Sequence, residues 1–319
     1  MLILVQGWRN PKGDEYYDIQ RKRADRASKR KQKHFYESNK KVGIKLEEVG
    51  AFSILDLGES QPQVLNLCMA PGGYTWSLLQ LYPSAQISGI TLPGNTGGHG
   101  MLLPYGKADP RIQVKFMDIT LLALEFCKSG TPIHPRHPEA EKFYAEVPYK
   151  DQTFHIVLCD GQVLRTHERA DYRQKLEPLR LTVSQLIFGM RRVRAGGTFI
   201  ILLHRVDAWE SLKLLSIFRR FSIVQLFKPD KIWKERSSFY FIAKEIQPGH
   251  PAAISAIENW RHDWWTATFG GETGTGEQLE VDELAVMSVL TSLETELLDM
   301  ARPIWEVQLN SMERAPYTQ

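Results

Sequence analysis

From residue 63 onward the sequence alternates between two patterns. Short apolar runs recur: VLNLC (64–68), QISGIT (86–91), RIQVKFM (111–117), TFHIVLCD (153–160) and TFIILLH (198–204). Runs this short and this apolar are strands covered on both faces, and strands spaced by helices pair in parallel. Between them, GYTWSLLQLY (73–82) and LEPLRLTVSQLIFGMRRVRAGG (176–197) have helical spacing, the second stopped by its Gly-Gly pair. Asp207 is placed to cap a further helix running to Phe221. SIVQLF (222–227) and SFYFIA (238–243) are joined by ten residues, too few for a helical crossover, so this pair is antiparallel. The expected core is therefore α/β, with a mostly parallel sheet and helices on both faces.

The flanks differ from this core. No Pro or Gly interrupts residues 14–40, which read as a helix, and residues 41–60 connect it to the first strand. Residues 128–150 form a Pro-rich insertion, a surface loop or lid. After residue 246 a helix is expected over Pro251–Trp265, then a flexible GGETGTGE link (270–277), then a helix over 280–310. The reading divides the chain into a basic helical extension (1–45), an α/β domain (46–246) and a helical appendage (247–319), through whose helices a protein partner or a second copy could pack. There is no internal repeat.

Residues 21–45 hold eleven Lys or Arg against Asp25 and Glu37, a surplus of nine in a chain whose net charge is +3. Such a block meets phosphates, as in RNA, or is a solvated helix face. No apolar stretch approaches the ~20 residues that span a bilayer, so no membrane partner is expected. The start, MLILV, is apolar only briefly and has no basic leader, which argues against a signal peptide. Cys68, Cys127 and Cys159 form no CxxC pair and fit a reducing compartment, cytoplasmic or nuclear. His134 and His137 have no third ligand nearby and are read as loop residues, with no metal.

The stretch VLNLCMAPGGYTW (64–76) sits where ligands bind in open α/β sheets, at the carboxyl end of a strand. Gly72 and Gly73 would let a ligand approach the backbone, Pro71 stiffens the turn, and the next helix offers its amides. Neither GxxxxGK[ST] nor GxGxxG is present. The alternative is a strand-turn-helix joint that needs small residues for packing.

NLCMAPGGYT resembles the first nucleotide-binding motif of S-adenosylmethionine-dependent methyltransferases. More narrowly, APGG resembles the FtsJ-like family of ribose 2′-O-methyltransferases, and LCMAPGG, ITLP, CDGQVLRTH and RSSFYFIAK are most similar to its fungal branch. The likeness runs in order through KLEEV (45–49), ITLPGNTGGHGMLL (90–103), VKFMDIT (114–120), LCDGQ (158–162), GGTFIILL (196–203) and RSSFYFIA (236–243). It implies a Rossmann-like class I methyltransferase fold with a seven-stranded sheet. The implied cofactor is S-adenosylmethionine, held by Asn66, Cys68, Ala70, Pro71, Gly72, Gly73, Tyr74, Thr75, Thr91, Asp118 and Asp160. Asp118 would accept from the adenine amino group. Thr91 stands where an acid is usual, and Asn66 replaces an Asp.

The resemblance also implies a Lys-Asp-Lys-Glu tetrad. Lys45 and Asp160 match its first two members, but Leu202 and Ser238 occupy the other two positions. His204 lies about 6.5 Å beyond Leu202 on the same strand face and could act as a base, and Arg205 could stabilise an alkoxide. The alternative for His204 is a capping or core polar residue, and for Lys45 a surface lysine. KPDKIWKER (228–236) carries Lys228, Lys231, Lys234 and Arg236 around Trp233, a strip suited to RNA phosphates and a stacked base, or a solvated loop with Trp233 folded inward. Arg165 could line the same cleft. The reading that follows is a methyltransferase acting on a hydroxyl, foremost an RNA 2′-hydroxyl. The alternatives are a degenerate fold that keeps cofactor or RNA binding, and a small-molecule O-methyltransferase.

Overall fold

The computed structural model describes residues 11–56, 61–104, 109–127, 133, 135, 137–163 and 169–313. Among these, seven strands form one sheet: β1 (Gln63–Leu67), β2 (Gln86–Thr91), β3 (Ile112–Phe116), β4 (Phe154–Cys159), β5 (Val193–His204), β6 (Ile223–Phe227) and β7 (Ser238–Ile246). Their order is β3-β2-β1-β4-β5-β7-β6. The first five pair in parallel, and β7 inserts antiparallel between β5 and β6. This is the expected Rossmann-like methyltransferase sheet, including the antiparallel closing pair.

Successive strand residues face opposite sides, and both sides are buried. Leu65, Val157, Phe199 and Ile201 pack towards α4 (Glu177–Met190), α5 (Trp209–Phe218), α6 (Pro251–Phe269) and α7 (Glu283–Glu313). Val64, Ile156, Leu158 and Ile200 pack towards α1 (Pro11–Glu48) and α2 (Gly73–Leu81). A one-turn helix, α3 (Ala123–Phe126), follows β3.

Helix α1 is longer than its sequence pattern implies. It runs through the expected 41–60 connector to Glu48, because Val42 and Leu46 are fully buried against Leu78 and Phe52. Two glycines let α1 and α2 touch. A Cβ on Gly43 would lie 2.4 Å from Ser77 Oγ, and one on Gly73 would lie 2.4 Å from the Tyr36 carbonyl oxygen. Ser77 Oγ donates to the carbonyls of Lys40 and Gly73, at 2.9 and 3.0 Å. Lys40 Nζ stands 4.0 Å from the Trp76 ring centre.

Three further expectations are corrected. The helix over 176–197 ends at Met190, and its last residues belong to β5. Arg192 fixes that break: its guanidinium pairs with buried Glu125 and donates to the Tyr149 and Phe188 carbonyls. The Gly196-Gly197 pair then lies inside a strand, at an irregularity in its register. Asp207 does not cap α5. Ala208 is the cap residue, the carboxylate pairs with Arg205 at 2.9 Å, and the helix stops at Phe218.

The appendage packs on the domain. Trp260 and Trp264 of α6 are buried, and Trp264 Nε1 donates to the Thr120 carbonyl at 3.1 Å. Helix α7 lies on α5 and β6 and leaves Leu284, Met287, Leu298 and Leu309 more than half exposed. Among the described residues, no helix is long and apolar enough to cross a membrane, and no group of three His, Cys, Asp or Glu could hold a metal ion.

Gly73→Ala tests the α1–α2 contact. The new methyl must displace the α1 backbone, so urea unfolding is expected to show about 1–3 kcal/mol of lost stability. Unchanged stability would mean that α1 is not seated as described.

Candidate active site

The carboxyl ends of β1, β2, β4 and β5 open into a cavity of about 720 Å³. Its floor is set by sheet parity. Asp160 follows β4 and shares the face of Leu158, so its side chain points to the α1–α2 side. There it is half-buried in the cavity wall. Asn39 Nδ2 of α1 donates to Asp160 Oδ2 at 3.3 Å, and the Tyr74 hydroxyl of α2 stands beside the same carboxylate. Tyr74 and Tyr240 hydroxyl oxygens are 2.5 Å apart. Burial pushes the Asp160 carboxyl up to about 7, and the bonds from Tyr74 and Asn39 partly oppose that shift.

At the other end of the cavity lies Asp118, after β3. Its Oδ1 accepts from Thr120 N and Thr120 Oγ1, at 2.9 and 2.7 Å. Arg173 spans this end. It reaches Asp118 at 3.4 Å, Glu139 at 2.8 Å and Glu177 at 2.7 Å, and Arg180 stands 3.9 Å from Glu139. Three acids therefore share two buried guanidiniums. The opposing charges keep Glu139 below its ordinary value although burial acts in the other direction.

The mouth is aromatic and cationic. The Trp233 ring packs on His34 and Phe35 of α1, with centroids 5.3 and 5.5 Å away, and Arg236 lies 4.3 Å over the Trp233 ring. His204 lines the cavity beside Gln162. Gln162 Nε2 donates to the Leu202 carbonyl at 2.9 Å, which turns its Oε1 towards His204 Nε2 at 3.0 Å. The imidazole Nε2 therefore carries the proton of that bond. Burial, with Arg236 and Lys228 nearby, lowers the His204 pKa.

Of the residues singled out in the sequence, Cys68, Ala70, Pro71, Thr91, Asp118, Asp160, His204, Trp233 and Arg236 line this one cavity. Thr91 Oγ1 also accepts from Ala70 N at 3.2 Å, tying the turn to β2.

Several other expected site residues lie elsewhere. Asn66 is behind the turn, donating to Thr75 Oγ1 at 3.0 Å, so neither side chain reaches the cavity. Gly72 and Gly73 do not line it either. A Cβ on Gly72, at φ 100°, would meet Leu103 at 2.7 Å, and one on Gly73 would meet α1. The glycines make room for protein packed over the turn. Tyr74 acts from behind Asp160.

Lys45 is on the flank of α1, paired with Glu48 at 2.5 Å, and Asn39 takes the contact with Asp160. Arg205 points away into a small crevice beside Ile304 and Trp305. Lys228 is buried at the base of the hairpin, donating to the carbonyls of Trp233, Arg236 and Ser238, so it braces the loop and is not free for phosphate. Desolvation lowers its pKa to about 8. Lys231 and Lys234 lie on the same hairpin connection, outside the cavity lining. Arg165 lies outside the described residues.

Sequence reasoning missed Asn39, Tyr240, Gln162, Phe35 and Arg173. Gln162 stood inside the quoted LCDGQ block. Asn39 is polar among lysines and has no local signal.

A mostly parallel sheet whose carboxyl-edge cavity joins a buried acid to an aromatic mouth defines an α/β enzyme of the Rossmann-like methyltransferase class. The FtsJ-like methyltransferase model matches residues 40–246, well over half of the sequence, and the chain belongs to that family. Among curated proteins none matches. Solved structures of similar fold include an rRNA methylase from Streptococcus thermophilus, with 11% identity, 62% of this chain and 95% of that chain covered, and a TM-score of 0.38. Human methyltransferase-like protein 13 in complex with SAH has 11% identity, 75% and 91% coverage, and a TM-score of 0.34.

Removing the guanidinium tests the ion cluster. Arg173→Met strands three acids around one remaining arginine, and urea unfolding is expected to show a loss of about 3–5 kcal/mol. A loss below about 1 kcal/mol would contradict the buried network.

Proposed function

We propose that this chain transfers the methyl group of S-adenosylmethionine to a 2′-hydroxyl of RNA. The observation that carries the reading is the continuity of one cavity from Asp118, through Asp160, to Trp233 and Arg236. The Asp118 end fits a nucleoside. Apolar Ile90, Leu92, Met117 and Ile119 give a flat ring its walls, and a carboxylate beside them suits a ring amino group. Ala70, Pro71 and Thr91 border the next part of the cavity, where the methionine portion would lie. The bound cofactor supplies an electrophilic methyl group on a sulfonium sulfur.

The acceptor side suits RNA. Trp233, Phe35 and Arg236 offer faces on which a base can stack, and Arg236 adds a cation. One turn away on α1, Lys29, Arg30, Lys31 and Lys33 are exposed. They extend the positive surface outward from Phe35, as a phosphate backbone requires. Residues 1–45 would serve as this basic extension and 247–319 as a helical brace for the domain between them. Asp160, at the junction of the two halves, faces both the methyl position and the acceptor.

Incubation with labelled S-adenosylmethionine and total RNA, followed by nucleoside analysis, tests the reading. A 2′-O-methylated nucleoside is expected with the wild-type protein and not with Asp160→Ala. Affinity for single-stranded RNA is expected to fall roughly tenfold or more between 50 and 200 mM salt. Cofactor binding without transfer would instead favour a degenerate fold. Transfer to a small hydroxylated molecule, insensitive to salt, would favour the small-molecule reading.

A further inference from the structure

Four carboxylates line the cavity among the described residues: Asp118, Glu139, Glu177 and Asp160. The first three share Arg173. Asp160 alone has no ion pair among the described residues, and the groups beside it are neutral: the Asn39 amide, which donates to it, and the Tyr74 hydroxyl. A hydroxyl carries one proton. The Tyr74 and Tyr240 hydroxyl oxygens stand 2.5 Å apart, and either can donate to the other, so a proton on one hydroxyl leaves the other free to turn towards Asp160. Tyr240, Tyr74 and Asp160 thus form one contiguous set of groups with no charged partner.

Register explains why Tyr240 can do this. It pairs with Leu202 across β5 and β7, so the two side chains share one face, and both border the cavity. Other cavity or near-cavity bases have protein partners. Lys228 holds three carbonyls and Lys45 pairs with Glu48 on the outside, while His204 is fixed through Nε2 to Gln162 and keeps Nδ1 as its basic nitrogen.

We propose that Asp160 accepts the proton of the acceptor hydroxyl, and that Tyr74 and Tyr240 form a neutral two-hydroxyl chain that positions it, in place of flanking charged groups. The inference rests on the reading of the chain as an O-methyltransferase. The acceptor O–H bond breaks and its proton passes to the Asp160 carboxylate. The freed oxygen pair forms the new O–CH3 bond as the C–S bond breaks, and sulfur keeps the electron pair of the broken C–S bond and becomes a neutral thioether. Alcohol, sulfonium and carboxylate thus become methyl ether, thioether and carboxylic acid, and Asp160 then returns its proton to water.

The surroundings make Asp160 the group that changes charge near neutral pH. Tyr74 of α2, Tyr240 of β7, Cys68 after β1 and Cys159 of β4 are all pushed up by burial and stay neutral. Asn39 of α1 does not titrate. His204 is lowered, and the charged groups that line the cavity with Asp160 are the Asp118–Arg173 cluster, Lys142, Arg169 and Arg236. Asp160 is ionised above about 7, so transfer rises with pH through that value. Each bond that favours the carboxylate lowers this midpoint, and deleting one raises it.

The test compares wild type, Tyr74→Phe, Tyr240→Phe and Asp160→Asn, each checked by thermal melting. Two readouts are taken from pH 5.5 to 9: kcat/KM for transfer, and calorimetric affinity for S-adenosylmethionine against S-adenosylhomocysteine. In wild type, the rate should rise through about pH 7, and the preference for the sulfonium should rise over the same range. In Tyr74→Phe both midpoints should move up by about one pH unit, giving roughly tenfold slower transfer at pH 6.5 and near-equal transfer at pH 9. Tyr240→Phe should shift them less, in the same direction. Asp160→Asn should lose at least about 100-fold in rate and show a flat preference.

Unmoved midpoints in both tyrosine variants, or full activity in Asp160→Asn, would overturn the inference. If no transfer to RNA is found but the pH-dependent preference remains and vanishes in Asp160→Asn, the RNA reading fails and the assignment of Asp160 stands.

Discussion

The seat of α1 on the turn after β1 sets the geometry of the site. With no side chain at Gly73, the α1 backbone at Tyr36 comes within contact distance of the turn. That approach carries Asn39 to Asp160 and Phe35 to Trp233. A bulkier turn would hold α1 off and open Asp160 to water. Water would remove the desolvation that raises its pKa. The same contact links a basic helix to the carboxyl end of the sheet, so the positive surface and the cavity adjoin.

The second constraint is the distribution of charge inside the cavity. At the Asp118 end, carboxylates are neutralised by Arg173 and Arg180, and α6 braces that end through Trp264. Near β5 and β7, the polar groups around Asp160 are uncharged, and Leu202 and Tyr240 form the wall. A carboxylate held by neutral donors in a desolvated place is a better base than one clamped by guanidinium. The two ends are therefore chemically distinct: at one the carboxylates share guanidinium partners, and at the other the carboxylate has only neutral neighbours.

Much of the fold was legible because it depends on local patterns. Apolar runs bounded by turn residues gave the strands, and the short link before SFYFIA gave the antiparallel pair. Asp160 was legible because a strand that ends in Asp-Gly marks the ligand edge. What failed was long-range. Gly72 and Gly73 read as a ligand cradle, yet their close neighbours are Leu103, Met101 and α1, which no local pattern reveals. Lys45 matched a motif, but the helix carries it to the flank and presents Asn39 instead. VRAGG fits a helix end as well as a strand start, and only pairing of Val193 with Phe154 decides between them. Tyr240 has no signal of its own, because its role comes from its position opposite Leu202.

The chemistry of the site turns on the state of one carboxyl group. Its most direct test is an NMR titration of the Asp160 side-chain carboxyl carbon in the intact, ligand-free protein, assigned by comparison with Asp160→Asn. The expected midpoint is near 7, set by burial and opposed by Tyr74 and Asn39. A midpoint near 4, the ordinary value for an exposed aspartate, would contradict the desolvated site with neutral neighbours described for α1, α2 and β7.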